Sequence, residues 1–195
     1  WGLRDRGILG TSILWFEREG DAPLPAERWR EWCLASVTTH DLPPSAGYLA
    51  HDHVKLRYEL GLLTESLDSE IEADAREQAA VVAMLEQRGL LAKRRSVEDI
   101  VLALHRFLRQ TPARVLSVAL TDAVGDRRTQ NQPGTIDEYP NWRVPLTGPD
   151  GRRLALEDVF ASERAMRLSA VLNGFSAVPG TRTPEASAPV PDPDL

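Results

Sequence analysis

The chain has one cysteine, Cys33, so no intrachain disulfide can form and a secreted disulfide scaffold is excluded. Long apolar runs are also missing. The most apolar stretch, Val115 to Leu120, falls far short of the ~20 residues a membrane-spanning helix needs. The N-terminal stretch shows no basic region followed by an apolar signal core. Charge of one sign is not massed anywhere: the net charge is -6, acidic and basic side chains are interspersed, and no basic stripe could neutralise a run of phosphates. These absences argue against nucleic acid and membrane as partners and fit a cytoplasmic location. The chain opens on Trp1 rather than Met, directly into Gly2-Leu3-Arg4-Asp5-Arg6-Gly7, which reads as the interior of a folded unit with further sequence upstream.

What is present is the composition of an ordinary globular protein, 42% apolar and 27% charged over 195 residues, enough for one sizeable core. Ile13-Leu14-Trp15-Phe16 is a short apolar run suited to a buried strand. After Ala22-Pro23-Leu24-Pro25, residues Glu27 to Trp32 suit one or two helical turns. Leu34 to Thr39 then reads as a second strand, stopped at Pro43-Pro44, because adjacent prolines continue neither a sheet ladder nor a helix interior. Asp52 is the expected cap of a helix from His53 to Leu60 closed by Gly61. A longer helix is expected from Leu67 to Arg88, with Leu67, Ile71, Ala75 and Val82 on its buried face and Gly89 as its stop. Ser96 caps a third helix whose Ile100, Val101, Leu104, Phe107 and Leu108 form an apolar stripe.

Arg114 to Leu120 is the most continuous apolar stretch and suits a parallel strand buried on both faces. A long polar loop, Thr121 to Trp142, follows it, then a helix from Leu156 to Leu172 ended by Asn173-Gly174. Residues 175–195 hold five prolines and little to bury, and read as a disordered tail. Strands alternating with helices imply an α/β fold of parallel βα units. Three strands cannot close a barrel, and a complete (β/α)8 TIM barrel takes roughly 250 residues. The pattern therefore matches about the last three strands of such a barrel, its C-terminal part, over residues 1–174.

Two segments could carry chemistry. His40-Asp41 follows a strand and precedes a proline turn, which is where βα barrels build active sites; taken alone, the pair also fits a simple turn cap. The second segment, Asn131 to Arg143, combines amides, hydroxyls, acids and two aromatics. Carbohydrate sites use such mixtures, since aromatic faces pack on sugar rings and polar groups satisfy hydroxyls that would otherwise be buried unpaired. A turn-rich surface loop would look the same.

Together these segments resemble the amylomaltase, or disproportionating enzyme, family of 4-alpha-glucanotransferases. The resemblance rests on Val37-Thr38-Thr39-His40-Asp41-Leu42-Pro43, Ala46-Gly47-Tyr48, Asn131-Gln132-Pro133-Gly134-Thr135 and Pro140-Asn141-Trp142, in order and at compatible spacing. Gly7 to Phe16 looks like the approach to the family's sixth barrel strand. The resemblance implies that Asp41 is the family's third carboxylate, which orients sugar hydroxyls and stabilises positive charge at the anomeric carbon. It implies that His40 binds the same sugar, that Phe16 lines the acceptor side unless it is a plain core residue, and that Asn131 and Pro133 shape the groove. Asn141 and Trp142 are read as structural.

The implied partners are alpha-1,4-glucans (maltodextrins) and glucose. No cofactor is implied. The implied nucleophile and acid/base lie upstream of the matched region; Glu17, Glu19 and Glu157-Asp158 sit in contexts that do not match them, so the chain alone is expected to be inactive. No metal is expected, because His40, His51, His53 and His105 lack partners at ligand spacing, and His51-Asp52-His53 reads as a solvated helix cap. Two other classes compete: a non-catalytic helical interaction module, and an alpha-glucan hydrolase barrel that uses water as acceptor.

Overall fold

The computed structural model describes residues 2–174. The expected tail at 175–195 and the opening Trp1 lie outside them. In chain order the strands are β1 (Gly10–Ile13), β2 (Arg18–Glu19), β3 (Ala22–Pro23), β4 (Cys33–Ser36) and β5 (Val115–Ser117). The helices are α1 (Ser45–Leu49), α2 (Asp52–Glu59), α3 (Leu67–Gln87), α4 (Val97–Leu108), α5 (Leu120–Val124), α6 (Leu156–Phe160) and α7 (Glu163–Leu172). β1, β4 and β5 form a parallel sheet in the order β1-β4-β5, while β2 and β3 make a two-stranded antiparallel ribbon. Gly10 pairs with Cys33, and Leu34 with Val115. The fold is α/β with a small parallel sheet.

The sheet has two unlike faces. Cys33, Ala35 and Val37 are fully buried against α3 and α4, where they meet Leu85, Leu104 and Phe107. Small residues on β4 let these helices approach the sheet, and each large apolar side chain so buried contributes about 1.5–3 kcal/mol. The alternate residues Thr11, Ile13, Leu34, Ser36 and Ser117 face the other way and line a cavity of about 620 Å³, as the period of two along a strand requires.

The first strand lies earlier than expected. Gly10–Ile13 is extended, whereas Leu14–Phe16 is a 3-10 turn that drops Leu14 into the core and sets Trp15 on the Tyr48 ring at 4.2 Å. The apolar run marks the burial of Ile13 and Leu14 rather than an extended segment. The second strand is likewise Cys33–Ser36 rather than Leu34–Thr39, and the expected helical turns after Pro25 shrink to a 3-10 turn at Ala26–Arg28.

β5 is three residues long, shorter than the expected Arg114 to Leu120, and within the described residues it ends the sheet with Val115 exposed. Leu116 alone of its residues reaches the main core, and Leu120 already starts α5.

Helix ends follow their local chemistry more closely. Ser96 and Asp99 form a reciprocal capping box on α4, the Ser96 N–H donating to Asp99 Oδ2 at 2.8 Å and the Asp99 N–H to Ser96 Oγ at 3.2 Å. Ser66 caps α3, and Gly89 leaves it at φ 68°. The buried residues of α3 are Asp74, Val81 and Leu85; of the expected row Leu67, Ile71, Ala75 and Val82, Val82 packs on the core.

Asp52 does not cap α2. His51 precedes the helix in a left-handed conformation, φ 58°, and the Asp52 carboxylate takes the Arg127 guanidinium at 2.7 and 2.8 Å. The expected last helix is broken at Ala161-Ser162, because Ser162 Oγ accepts from the Ala165 N–H and starts α7 afresh.

Candidate functional site

The turn after β4 is built from its own hydroxyls. Ser36 Oγ donates to the Thr38 carbonyl at 2.7 Å, Thr38 Oγ1 donates to the Pro43 carbonyl at 2.8 Å, and the Leu42 N–H donates to the Thr39 carbonyl at 3.2 Å. Pro43 and Pro44 then deliver the chain into α1. His40 and Asp41 stand on this turn at the C-terminal end of the central strand, with His40 Nε2 3.3 Å from Asp41 Oδ2. His40 lines the cavity over the sheet.

The loop from Thr129 to Arg143 folds back onto this turn. Asn131 Nδ2 donates to Asp41 Oδ1 at 2.6 Å, so the two segments singled out in the sequence meet. Asn141 holds the loop closed: its Oδ1 accepts from the Gln132 N–H at 2.7 Å and its Nδ2 donates to Thr135 Oγ1 at 2.8 Å. Gly134 supplies the φ of 90° that the bend needs. Tyr139 OH donates to the Thr129 carbonyl at 2.6 Å. Trp142, at φ 63°, places its ring 5.2 Å from that of His40, a contact that sequence reasoning missed because it depends on the loop returning to the turn.

Two features bring the loop home. Gly47 on α1 lies so close to the next segment that a Cβ there would stand 2.1 Å from the Arg127 carbonyl oxygen. Asp126, fully buried, accepts from the Arg128 N–H at 2.9 Å and the Thr147 N–H at 2.8 Å, tying the two ends of the loop together. An aspartate in a polar stretch gives no sequence sign that it will be buried.

Other expected residues fall differently. Phe16 is 67% exposed, which removes the core reading; it does not line the cavity beside His40. Pro133 is exposed, and its carbonyl accepts from its neighbour Gln132 at 3.1 Å rather than from His40 or Asp41. Glu19 lies in the Arg28 fork at 2.5 and 2.9 Å, and the hydrogen bond and charge of Arg28 hold its carboxyl below its ordinary value. That favours the ionised form, the reverse of what a general acid requires. Asp158 caps α6 through the Ala155 N–H at 2.9 Å.

His51 and His53 are not a solvated cap. Both are part-buried against Asp74 of α3, with His51 Nδ1 at 2.5 Å and His53 Nε2 at 3.6 Å. Burial raises the Asp74 carboxyl, but hydrogen bonds from His53 and His51 outweigh it and leave the group below its ordinary range. Among the described residues, no group of three or more His, Cys, Asp or Glu side chains is arranged to hold a metal ion, and no helix is long and apolar enough to cross a membrane.

Comparison with known proteins places these segments in a family. A family model described as 4-alpha-glucanotransferase matches residues 1–150, which include His40, Asp41 and the loop bearing Asn131. A 4-alpha-glucanotransferase of Mycobacterium bovis is 60% identical over 181 residues, covering 89% of this chain and 25% of the relative. One of Haemophilus influenzae is 24% identical over 159 residues, covering 76% of this chain and 23% of the relative. The amylomaltase of Corynebacterium glutamicum superposes with a TM-score of 0.82 at 36% identity, over 88% of this chain and 26% of that structure. The amylomaltase of Streptococcus agalactiae in complex with acarbose shares the fold at a TM-score of 0.55 and 17% identity, over 87% of this chain and 27% of that structure. The chain spans about a quarter of the length of the curated relatives it matches. With its motif residues brought together in space and most of its length matched by the family model, the chain belongs to the 4-alpha-glucanotransferase family.

Proposed function

We propose that the chain is the C-terminal part of a (β/α)8 barrel that transfers alpha-1,4-glucan segments, with retention, to a glucose or glucan acceptor. The observation that carries this reading is the hydrogen bond from Asn131 to Asp41 within a stretch matched to the family. Retaining transfer passes through a cationic, oxocarbenium-like transition state, flanked by a nucleophilic carboxylate and an acid/base ~5–5.5 Å apart. Those two groups belong to the rest of the barrel. Asp41 supplies a third carboxylate. Asn131 holds Oδ1 and His40 Nε2 lies 3.3 Å from Oδ2, which fixes the plane of the group, so its remaining lone pairs accept from sugar hydroxyls and face the developing charge. Such an interaction accelerates the reaction only because it strengthens as charge develops.

His40 adds a hydrogen-bonding ring to the same sugar, Phe16 lies toward the acceptor, and Pro133 shapes the groove behind Asn131. The substrates are maltodextrins and glucose, and no cofactor enters the chemistry. The chain alone, lacking nucleophile and acid/base, is inactive.

The test is maltotriose disproportionation by the full-length protein, wild type against Asp41→Asn. Glucose together with longer glucans from the wild type, lost in a folded variant, supports the reading. Glucose and maltose without longer products point to a hydrolase. Absence of any reaction by the wild type points to a non-catalytic module, and activity of residues 1–195 alone removes the division of labour proposed for the carboxylates.

A further inference from the structure

The turn that carries Asp41 is held from beneath by a carboxylate outside the site described above. Asp122, in the first turn of α5, is buried, and both its oxygens serve one residue: Oδ1 accepts from the Ser45 N–H at 2.7 Å and Oδ2 from the Ser45 hydroxyl at 2.6 Å. Ser45 is the first residue of α1 and follows Pro43-Pro44 directly. The residue before α1 is Pro44, which has no side-chain acceptor to cap the helix. Asp122 provides that acceptor from a distant element, across 77 positions of sequence.

The clamp joins the two segments whose tips form the site. On one side, Ser45 continues the turn bearing His40 and Asp41; on the other, Asp122 begins the chain that leads through Asp126 to Asn131. Below it lies His105 of α4, wholly buried, whose Nδ1–H donates to the Val101 carbonyl at 2.8 Å. That bond fixes the tautomer and leaves Nε2 facing Asp122 Oδ2 at 3.9 Å, without a hydrogen-bond partner. Burial pushes the Asp122 carboxyl up and the His105 imidazole down, while the nearness of His105 and the two Ser45 bonds draw Asp122 back. A buried acceptor in this setting has no alternative partner as good as Ser45, so displacing α1 would leave it unsatisfied.

We infer that Asp122 is a positioning residue for Asp41, acting through Ser45 to hold the catalytic turn against the Asn131 loop. The inference rests on the transferase reading above for its catalytic consequence. Misplacement of a reacting group by about 1 Å can lower a rate by ~100-fold, and a defect of this kind falls on kcat because ground-state binding uses many other contacts.

The experiment uses the full-length protein and maltotriose kinetics on Asp122→Ala, Asp122→Asn and Ser45→Ala, with Asp74→Ala as a control that removes another buried carboxylate, one that contacts His51 beyond the end of α1 rather than Ser45. Asp122→Ala is expected to lower kcat tenfold or more with KM within twofold of wild type. Asp122→Asn, which keeps one acceptor, recovers part of the loss, and Ser45→Ala, which keeps the N–H bond, gives a partial loss. Asp74→Ala lowers Tm comparably but leaves kcat unchanged. If Asp122→Ala does not fold, the two milder variants decide. Unchanged kcat in every folded Asp122 and Ser45 variant overturns the inference, as does a fall in kcat matched by Asp74→Ala.

Crystal structures of wild type and Asp122→Asn give a readout that does not depend on activity. Loss of the Asp41–Asn131 hydrogen bond in the variant supports positioning, and its retention overturns it. An inactive wild type with that bond lost in the variant defeats the transferase reading and leaves the positioning role standing.

Discussion

Asn131 Nδ2 and Asp41 Oδ1 lie 2.6 Å apart although 90 positions of sequence separate the two residues. The bond joins the loop after β5 to the turn after the central strand, and it gives Asp41 a defined orientation, with His40 Nε2 3.3 Å from its other oxygen. A hydrogen bond to a charged acceptor is worth about 1.5–3 kcal/mol, so this contact bears directly on how well the carboxylate can follow charge through a reaction.

Removing the amide is therefore expected to weaken catalysis without removing Asp41. In the full-length protein Asn131→Ala should lower kcat/KM for maltotriose by roughly ten- to a hundredfold, the kinetic equivalent of that bond. Asn131→Asp should be worse, since it replaces a donor to Asp41 with a second carboxylate that repels it. Steady-state kinetics on both variants checks the order.

Gly47→Ala should disturb stability and site together. The added Cβ would stand 2.1 Å from the Arg127 carbonyl oxygen, and a rigid backbone neighbour cannot rotate away. A loss of about 1–3 kcal/mol in urea unfolding is expected, along with lower kcat, because Arg127 lies on the chain that leads to Asn131. Full kcat in a folded Gly47→Ala protein would show that the close approach is not needed to seat the loop.

Ser96→Ala separates stability from function. Its hydroxyl accepts from the Asp99 N–H at 3.2 Å within the capping box of α4, and losing such a cap costs about 1 kcal/mol. Denaturant melts should show that loss while maltotriose kinetics stay at the wild-type level.

The Asp74 cluster sets an acid limit. Its carboxyl is held below the ordinary 3.8 in the folded protein, with burial opposing and His53 and His51 hydrogen bonds prevailing. A depressed carboxyl contributes stability that is complete above the unfolded value and fades as pH falls through the lower folded one. The contribution should thus be whole above about pH 3.8 and decline below it. Asp74→Asn should flatten the acid limb of a Tm-against-pH profile; an unchanged slope would count against the cluster as its source.

Much of the local structure was legible before folding was considered. The cap at Ser96, the stop at Gly89 and the break at Pro43-Pro44 are read from residues a few positions apart, since caps and turns are made by neighbours in sequence. Less legible was the exact extent of the strands. Ile13 to Phe16 and Arg114 to Leu120 are apolar because they are buried or flank buried chain, and burial alone does not distinguish an extended residue from a 3-10 turn or a strand from the helix that follows it. The His51-Asp52-His53 cluster departs from the solvated cap that its sequence suggests for a related reason: its partner, Asp74, sits on a different helix.

By itself, then, the amino-acid sequence determined the α/β class, most helix ends, and the two motif segments that carry the family resemblance, because each depends on interactions within a few residues or on residue types in order. Only the tertiary structure decided that β4 lies between β1 and β5, that Gly47 must be glycine, that Asn131 meets Asp41, and that Asp122 clamps Ser45. Those relationships join segments far apart in the chain. They are selected by which packing satisfies every buried polar group at once, a condition on the whole molecule that no local pattern expresses.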